Sequence, residues 1–159
     1  MNKNIQLIAD NSSLNNKYSK ILGGTNTSNS THSGYSPDMA FDDDPSSLWA
    51  SNGSSASLCA KYFSTPQTID ALDFRGLFLD SGGYWGYLNI IEYSGSVWNT
   101  ITTIYITGYP TVEQSYFLKQ RRTAFGWGIQ LNGTTNGGNM HARDLRILQL
   151  NPKGSIIIN

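Results

Sequence analysis

Apolar positions along this chain come in short bursts set between polar stretches rich in Gly, Ser, Thr and Asn. That rhythm predicts many short strands joined by polar turns rather than long helices. Ile5 to Ala9 reads as a first strand, and Ile21-Leu22 forms a second apolar step. Tyr62-Phe63, Ile69 to Phe74, Tyr87 to Tyr93, Thr100 to Ile106, Gly126 to Leu131 and Ala142 to Leu150 supply further strands near the usual length of about 5 to 6 residues. Within Leu145 to Leu150 apolar and polar residues partly alternate, as in a half-buried strand. Gly23 to Ser36 (GGTNTSNSTHSGYS) has almost nothing to bury and reads as a long surface loop, the kind of segment on which recognition sits. The expected class is all-β. One domain is expected over residues 1–159, with its core within about 5–150 and a C-terminal tail at 151–159.

Composition narrows the function classes. A chain of 159 residues can bury roughly 70% of its unfolded surface around a single core. With 14% charged residues and a formal net charge of zero, it offers no electrostatic footprint for nucleic acid or an anionic membrane. The lone Cys59 cannot form an intramolecular disulfide, and its apolar neighbours predict a small buried residue. The apolar run in MNKNIQLIADNSS is too short for a signal peptide, and no stretch approaches the ~20 apolar residues that span a bilayer. The expectation is a soluble protein that, as written, is not routed for secretion and does not insert into membranes.

The densest chemistry lies between Ser33 and Ser51 (SGYSPDMAFDDDPSSLWAS). Three adjacent carboxylates repel one another, so beside a buried Trp49 they need backbone amides, an arginine or a hard cation. The segment is expected to act as a structural clasp. Catalysis finds less support. Asp42 to Asp44 are too close together to face each other across a sugar, and the remaining acids form no recognisable glycosidase pair. His32 and His141 lack triad or metalloprotease spacing, and Gly82-Gly83 and Gly137-Gly138 lack the Lys-Ser or Lys-Thr of a phosphate loop. No enzyme is expected. Asp80 to Tyr87 (DSGGYWGY) places Tyr84, Trp85 and Tyr87 in a loop after a diglycine. Exposed aromatic faces there suit sugar rings; in the alternative reading Trp85 folds back onto the core. Trp49, Trp98 and Trp127 are expected in the core, and Arg121-Arg122 in a solvated turn before the Phe125 strand.

In order along residues 30 to 150, these segments resemble the discoidin (coagulation factor 5/8 type C) domains and the family 32 carbohydrate-binding modules. The family pattern Ala-x-Asp-Gly-Asp-x-x-Thr-x-Trp-x-Ser matches Ala40, Asp42, Asp44, Trp49 and Ser51, with Asp43 replacing glycine and Ser47 replacing threonine. Leu58 to Phe74 resembles the following strand pair, although Tyr62-Phe63-Ser64 stands where the family has Asp-Leu-Gly. Tyr93 to Trp98 resembles a shortened hairpin, and Ala142 to Leu148 the last strand, with Asp144 in place of glutamate. The resemblance implies an antiparallel β-sandwich of the jelly-roll, galactose-binding type. It also implies a sugar site in end loops, mapped to Tyr84, Trp85, Arg75, His32, Tyr35 and Asn139. A structural calcium ion would be held by Asp42, Asp44, Ser47, Asp144 and the Ala40 carbonyl; Arg143 and Arg146 could neutralise the same carboxylates without metal.

Two functional expectations result, with a glycan-processing enzyme as a distant third. One is a non-catalytic module that recognises carbohydrate on a cell surface. The other is a purely structural assembly protein, whose Ile156-Ile157-Ile158 tail adds a strand or docks on other structural proteins or copies of itself. By analogy, a short, uncharged, Asn/Ser/Thr/Gly-rich chain starting at Met resembles a bacteriophage tail, fibre or decoration component, located on a virion or an extracellular surface.

Overall fold

A computed structural model of the chain describes residues 5–6, 18–53, 56–77, 84–106, 114–135 and 141–150. Among the described residues nine strands succeed one another: β1 (Ile5–Gln6), β2 (Tyr18–Lys20), β3 (Thr25–Ser28), β4 (Trp49–Ala50), β5 (Ser57–Leu77), β6 (Tyr84–Tyr93), β7 (Trp98–Ile106), β8 (Gln114–Thr135) and β9 (His141–Leu150). A short 3-10 turn, Pro37–Ala40, precedes β4. Every pairing is antiparallel, in the order β2-β9-β5-β8-β6-β7, with β1 on β8, β3 on β5 and β4 on β9. Among the described residues no helix is long and apolar enough to cross a membrane.

The ladder folds into two layers because β5 and β8 each serve both. The first part of β5 pairs with β3 and with Gly126–Leu131 of β8, which continues to β6 and β7. The later part of β5 pairs with the first part of β8 and with β9. Between Tyr62 and Gln67 the register breaks, and Pro66 sits in that break, where its missing N–H removes no ladder bond. The inward faces of the two halves then meet. Trp127, Ile129 and Leu131 alternate along β8 and pack with Leu88 and Ile90 of β6. Opposite them lie Ile69, Leu72 and Phe74 of β5 and Leu145 and Ile147 of β9, with Phe41 and Trp49 closing the same cluster. This is the antiparallel β-sandwich expected of the sequence, with Cys59 fully buried in its core. Close approach of β5 to β8 requires Gly128, since a Cβ there would lie 2.3 Å from Ala60 Cβ and from the Cys59 carbonyl.

Several elements differ from the sequence reading. The loop Gly23 to Ser36 contains β3, whose Thr and Asn residues pair by backbone on an outer strand and therefore need no apolar signal. Tyr84 and Trp85 begin a strand instead of lying in a loop, with Thr135 and Thr134 as register partners. Arg121 and Arg122 lie within β8: Arg122 is clamped to Glu92 by two bonds of 2.6 Å, so its charge is met on the sheet and marks no turn. That carboxylate also raises the Arg122 pKa. Trp49 and Trp127 are fully buried in the main core, whereas Trp98 is half-buried on the outer face with Leu58, Ala60 and Ile91. The tail at 151–159 and most of the strand read at Ile5 to Ala9 lie outside the described residues.

Candidate functional site

The aspartate segment is a self-contained turn. Asp42 Oδ1 accepts the Asp44 N–H at 3.0 Å, and Asp44 Oδ1 accepts the Ser46 N–H at 2.8 Å, giving two successive Asx turns. Ser47 Oγ bridges the base, 2.6 Å from Asp42 Oδ2 and 2.9 Å from the Met39 carbonyl. Bonds from the Ser46 hydroxyl and amide hold the Asp44 carboxyl below the usual carboxylate range. Asp43 keeps the turn that glycine permits in the related pattern by adopting a left-handed φ of 64°. Its carboxylate meets Lys20 Nζ at 2.7 Å, and the same ammonium donates to the Phe41 carbonyl at 2.9 Å. Arg143 Nη1 reaches the Pro45 carbonyl at 2.7 Å. The clasp thus lies against β9 between the stretch covered by β2 and the stretch covered by β4.

Of the five residues mapped to calcium, Asp42, Asp44 and Ser47 come together, and Ala40 ends the turn that leads into them. Asp144 is drawn elsewhere: its Oδ2 accepts Arg75 Nε at 2.7 Å and also Nη2. Arg146 pairs with Asp73 and not with the clasp. Among the described residues no three His, Cys, Asp or Glu side chains converge on one point. Asp144 is thus engaged by Arg75, and a cation of the chain itself, Lys20, stands beside the turn.

A different set of residues gathers at one end of the sandwich. His32 N–H donates to the Ala50 carbonyl at 2.8 Å, and Ala50 N–H to the Tyr35 carbonyl at 3.4 Å. The loop carrying both rings is further stitched down by Trp49 Nε1 to the Ser30 carbonyl at 3.1 Å and by Leu58 N–H to Asn29 Oδ1 at 2.7 Å. The His32 and Tyr35 ring centres lie 5.7 Å apart at 36°, and Tyr35 is 40% exposed. Ala50 faces His141, which faces Leu77 at the end of β5, two positions beyond Arg75. The first residues of β6, Tyr84 and Trp85, and the last of β8 reach the same end. Their backbone is placed there; their side chains, and Asn139, lie outside the described residues. Tyr87 and Tyr105, 42% and 72% exposed, form an edge-to-face pair at 4.8 Å that the sequence reading did not single out together. Their register pairing across β6 and β7 is the signal that joins them.

Each described carboxylate is engaged. Asp38 accepts Asn26, Asp70 accepts the Leu150 N–H, Asp73 pairs with Arg146, Glu92 with Arg122 and Asp144 with Arg75, in addition to the three of the clasp. Among the described residues these engagements leave no free pair of carboxylates facing a cleft, the arrangement glycoside hydrolysis needs.

The same layered topology occurs in solved carbohydrate-binding modules. The family 32 module of Clostridium perfringens NanJ, in complex with galactose, superposes with a TM-score of 0.59 at 14% identity over 79% of this chain and 93% of that one. The fold is that of the family 32 modules. CpGH89CBM32-4 of C. perfringens, in complex with GlcNAc-α-1,4-galactose, shares this family 32 fold at a TM-score of 0.61 and 17% identity, over 83% and 94% of the two chains. The family 32 module of AlyQ, in complex with 4,5-unsaturated mannuronic acid, gives 0.58 and 16% over 82% and 96%. No protein-family model matches the sequence, and no curated protein matches it. The likeness to these modules is thus one of fold, at 14% to 17% sequence identity.

Proposed function

We propose that this chain is a non-catalytic module that binds carbohydrate on a cell surface through the loop end carrying His32 and Tyr35. The observation that supports this most is the tethered pair of half-buried His32 and exposed Tyr35, at the end where β5, β6, β8 and β9 all begin or finish. A ring face next to an imidazole offers stacking and hydrogen bonding together, which suits a sugar. Arg75, Tyr84, Trp85 and Asn139 belong to the same proposed site. The engaged carboxylates favour binding over hydrolysis, and the ligands of the compared modules make galactosides the first candidates. The setting we propose is a virion tail, fibre or decoration component engaging a host surface. We also read the aspartate clasp as held without calcium, Asp43 by Lys20 and Asp42 and Asp44 by backbone N–H groups and the hydroxyls of Ser46 and Ser47.

A glycan array of the purified protein tests the reading. Binding is expected for the wild type and lost in His32→Ala, Tyr35→Ala and Trp85→Ala, each with an unchanged circular dichroism spectrum. A blank array from folded wild-type protein overturns it.

A further inference from the structure

A cavity of about 330 Å³ lies at the opposite end of β3 from the His32 loop, where Thr25 faces Tyr62 and β5 breaks register. Its size falls at the lower end of the range of about 300 to 1,000 Å³ typical of small-ligand sites. The apolar wall is Tyr62, 39% exposed, and Phe63, which is buried and packs on Trp127 at 6.3 Å between ring centres. The polar rim is Thr25, Ser64, Thr65 and Gln67. Gln67 Nε2 donates to Thr65 Oγ1 at 3.2 Å, so the Thr65 hydroxyl, having accepted, still carries a proton to donate. Gly24 forms the remaining side with a φ of 77°, and a Cβ there would lie 2.8 Å from the Phe63 ring and the Tyr62 carbonyl. The cavity is thus walled by core and by paired strands.

None of the side chains lining it is charged at neutral pH. Lys61, next to Tyr62, is buried and turns away, with Nζ 4.9 Å from the centre of the Phe41 ring. One aromatic face, several hydroxyls and a carboxamide, with no ion, fit a neutral pyranose and disfavour phosphates, sialic acids and uronic acids. An aromatic row leads from the mouth across the sheet. Tyr62, Gly126, Tyr93 and Trp98 are successive register partners, and the missing side chain at Gly126 lets the Tyr62 and Tyr93 rings meet at 6.5 Å; Tyr93 and Trp98 lie 5.0 Å apart. The geometry points to a second carbohydrate site, at which one neutral hexose unit stacks on Tyr62 and hydrogen-bonds Thr65 and its neighbours. This inference borrows its ligand class from the function proposed above, but not its location. With sites at both ends of β3, one module would bridge two glycan chains.

Amide chemical shifts of the full chain, titrated separately with galactose, N-acetylglucosamine, glucose and glucuronic acid, test it. At least one neutral sugar is expected to move the Gly24, Thr25, Thr65 and Gln67 amides while glucuronic acid does not. Tyr62→Ala should weaken that response by about tenfold, and Tyr62→Phe should keep it, because the ring face carries the contact. Shifts at His32 and Tyr35 should be the same in all three proteins. Cavity amides that stay still with every neutral sugar overturn the second site, as does a response surviving in Tyr62→Ala. Shifts confined to the His32 end leave the proposed function standing and remove this site; shifts confined to the cavity do the reverse.

Discussion

At position 43 an aspartate adopts the left-handed backbone that glycine usually provides, and the charge it adds to the turn is met by Lys20. Removing that ammonium tests the assignment. Lys20→Met should lower the melting temperature, whereas adding calcium or a chelator to the wild type should leave it unchanged in a thermal scan. Acid acts on the same turn through Asp44. Its pKa is depressed in the folded state, so its contribution is present above the ordinary carboxylate range and is lost as pH falls through the folded value. Melting temperature against pH should therefore fall in acid, less steeply for Asp44→Asn. Asp73 has the opposite sign, since burial outweighs Arg146 and raises its pKa. Arg146→Met strands that carboxylate, whose side chain is 6% exposed, and should cost about 3 to 5 kcal/mol in urea unfolding at neutral pH. The loss should shrink as pH falls, because a raised pKa gives stability present in acid and lost as pH rises through the folded value.

At the scale of elements, the strands that bury one face were legible and those that do not were hidden. The alternation in Leu145 to Leu150 located β9, and Gly126 to Leu131 located the inward stretch of β8. Polar β3 and the charged first part of β8 gave no such pattern, because their partners are backbone groups and ion pairs supplied by distant segments. For the candidate site, His32 and Tyr35 were legible as residues of a polar loop. Their tether to Ala50 was not, nor was Tyr62 as a cavity wall, since both depend on long-range register. The fit of β5 to β8 gives a sharp test. Gly128→Ala forces a methyl group onto the Cys59 carbonyl and Ala60, and should cost at least the ~1 to 3 kcal/mol typical of overpacking in a denaturant titration.

For the molecule as a whole, the order of short motifs carried the fold where identity did not: the compared modules share 14% to 17% of residues yet the same two-layer plan. The clasp, the hairpin and the final strand each sit where packing of a sandwich needs an anchor, a turn and a central strand. Shared strands have a further consequence for the newborn chain. β5 takes its main partners from β8 and β9, both of which lie far downstream. Until the ribosome has released the whole of β8, from Gln114 to Thr135, β5 can hold only β3, and its remaining hydrogen-bonding edge is open. Fragments that stop short of β8 would present that edge to one another, so premature termination should yield aggregates instead of a smaller domain.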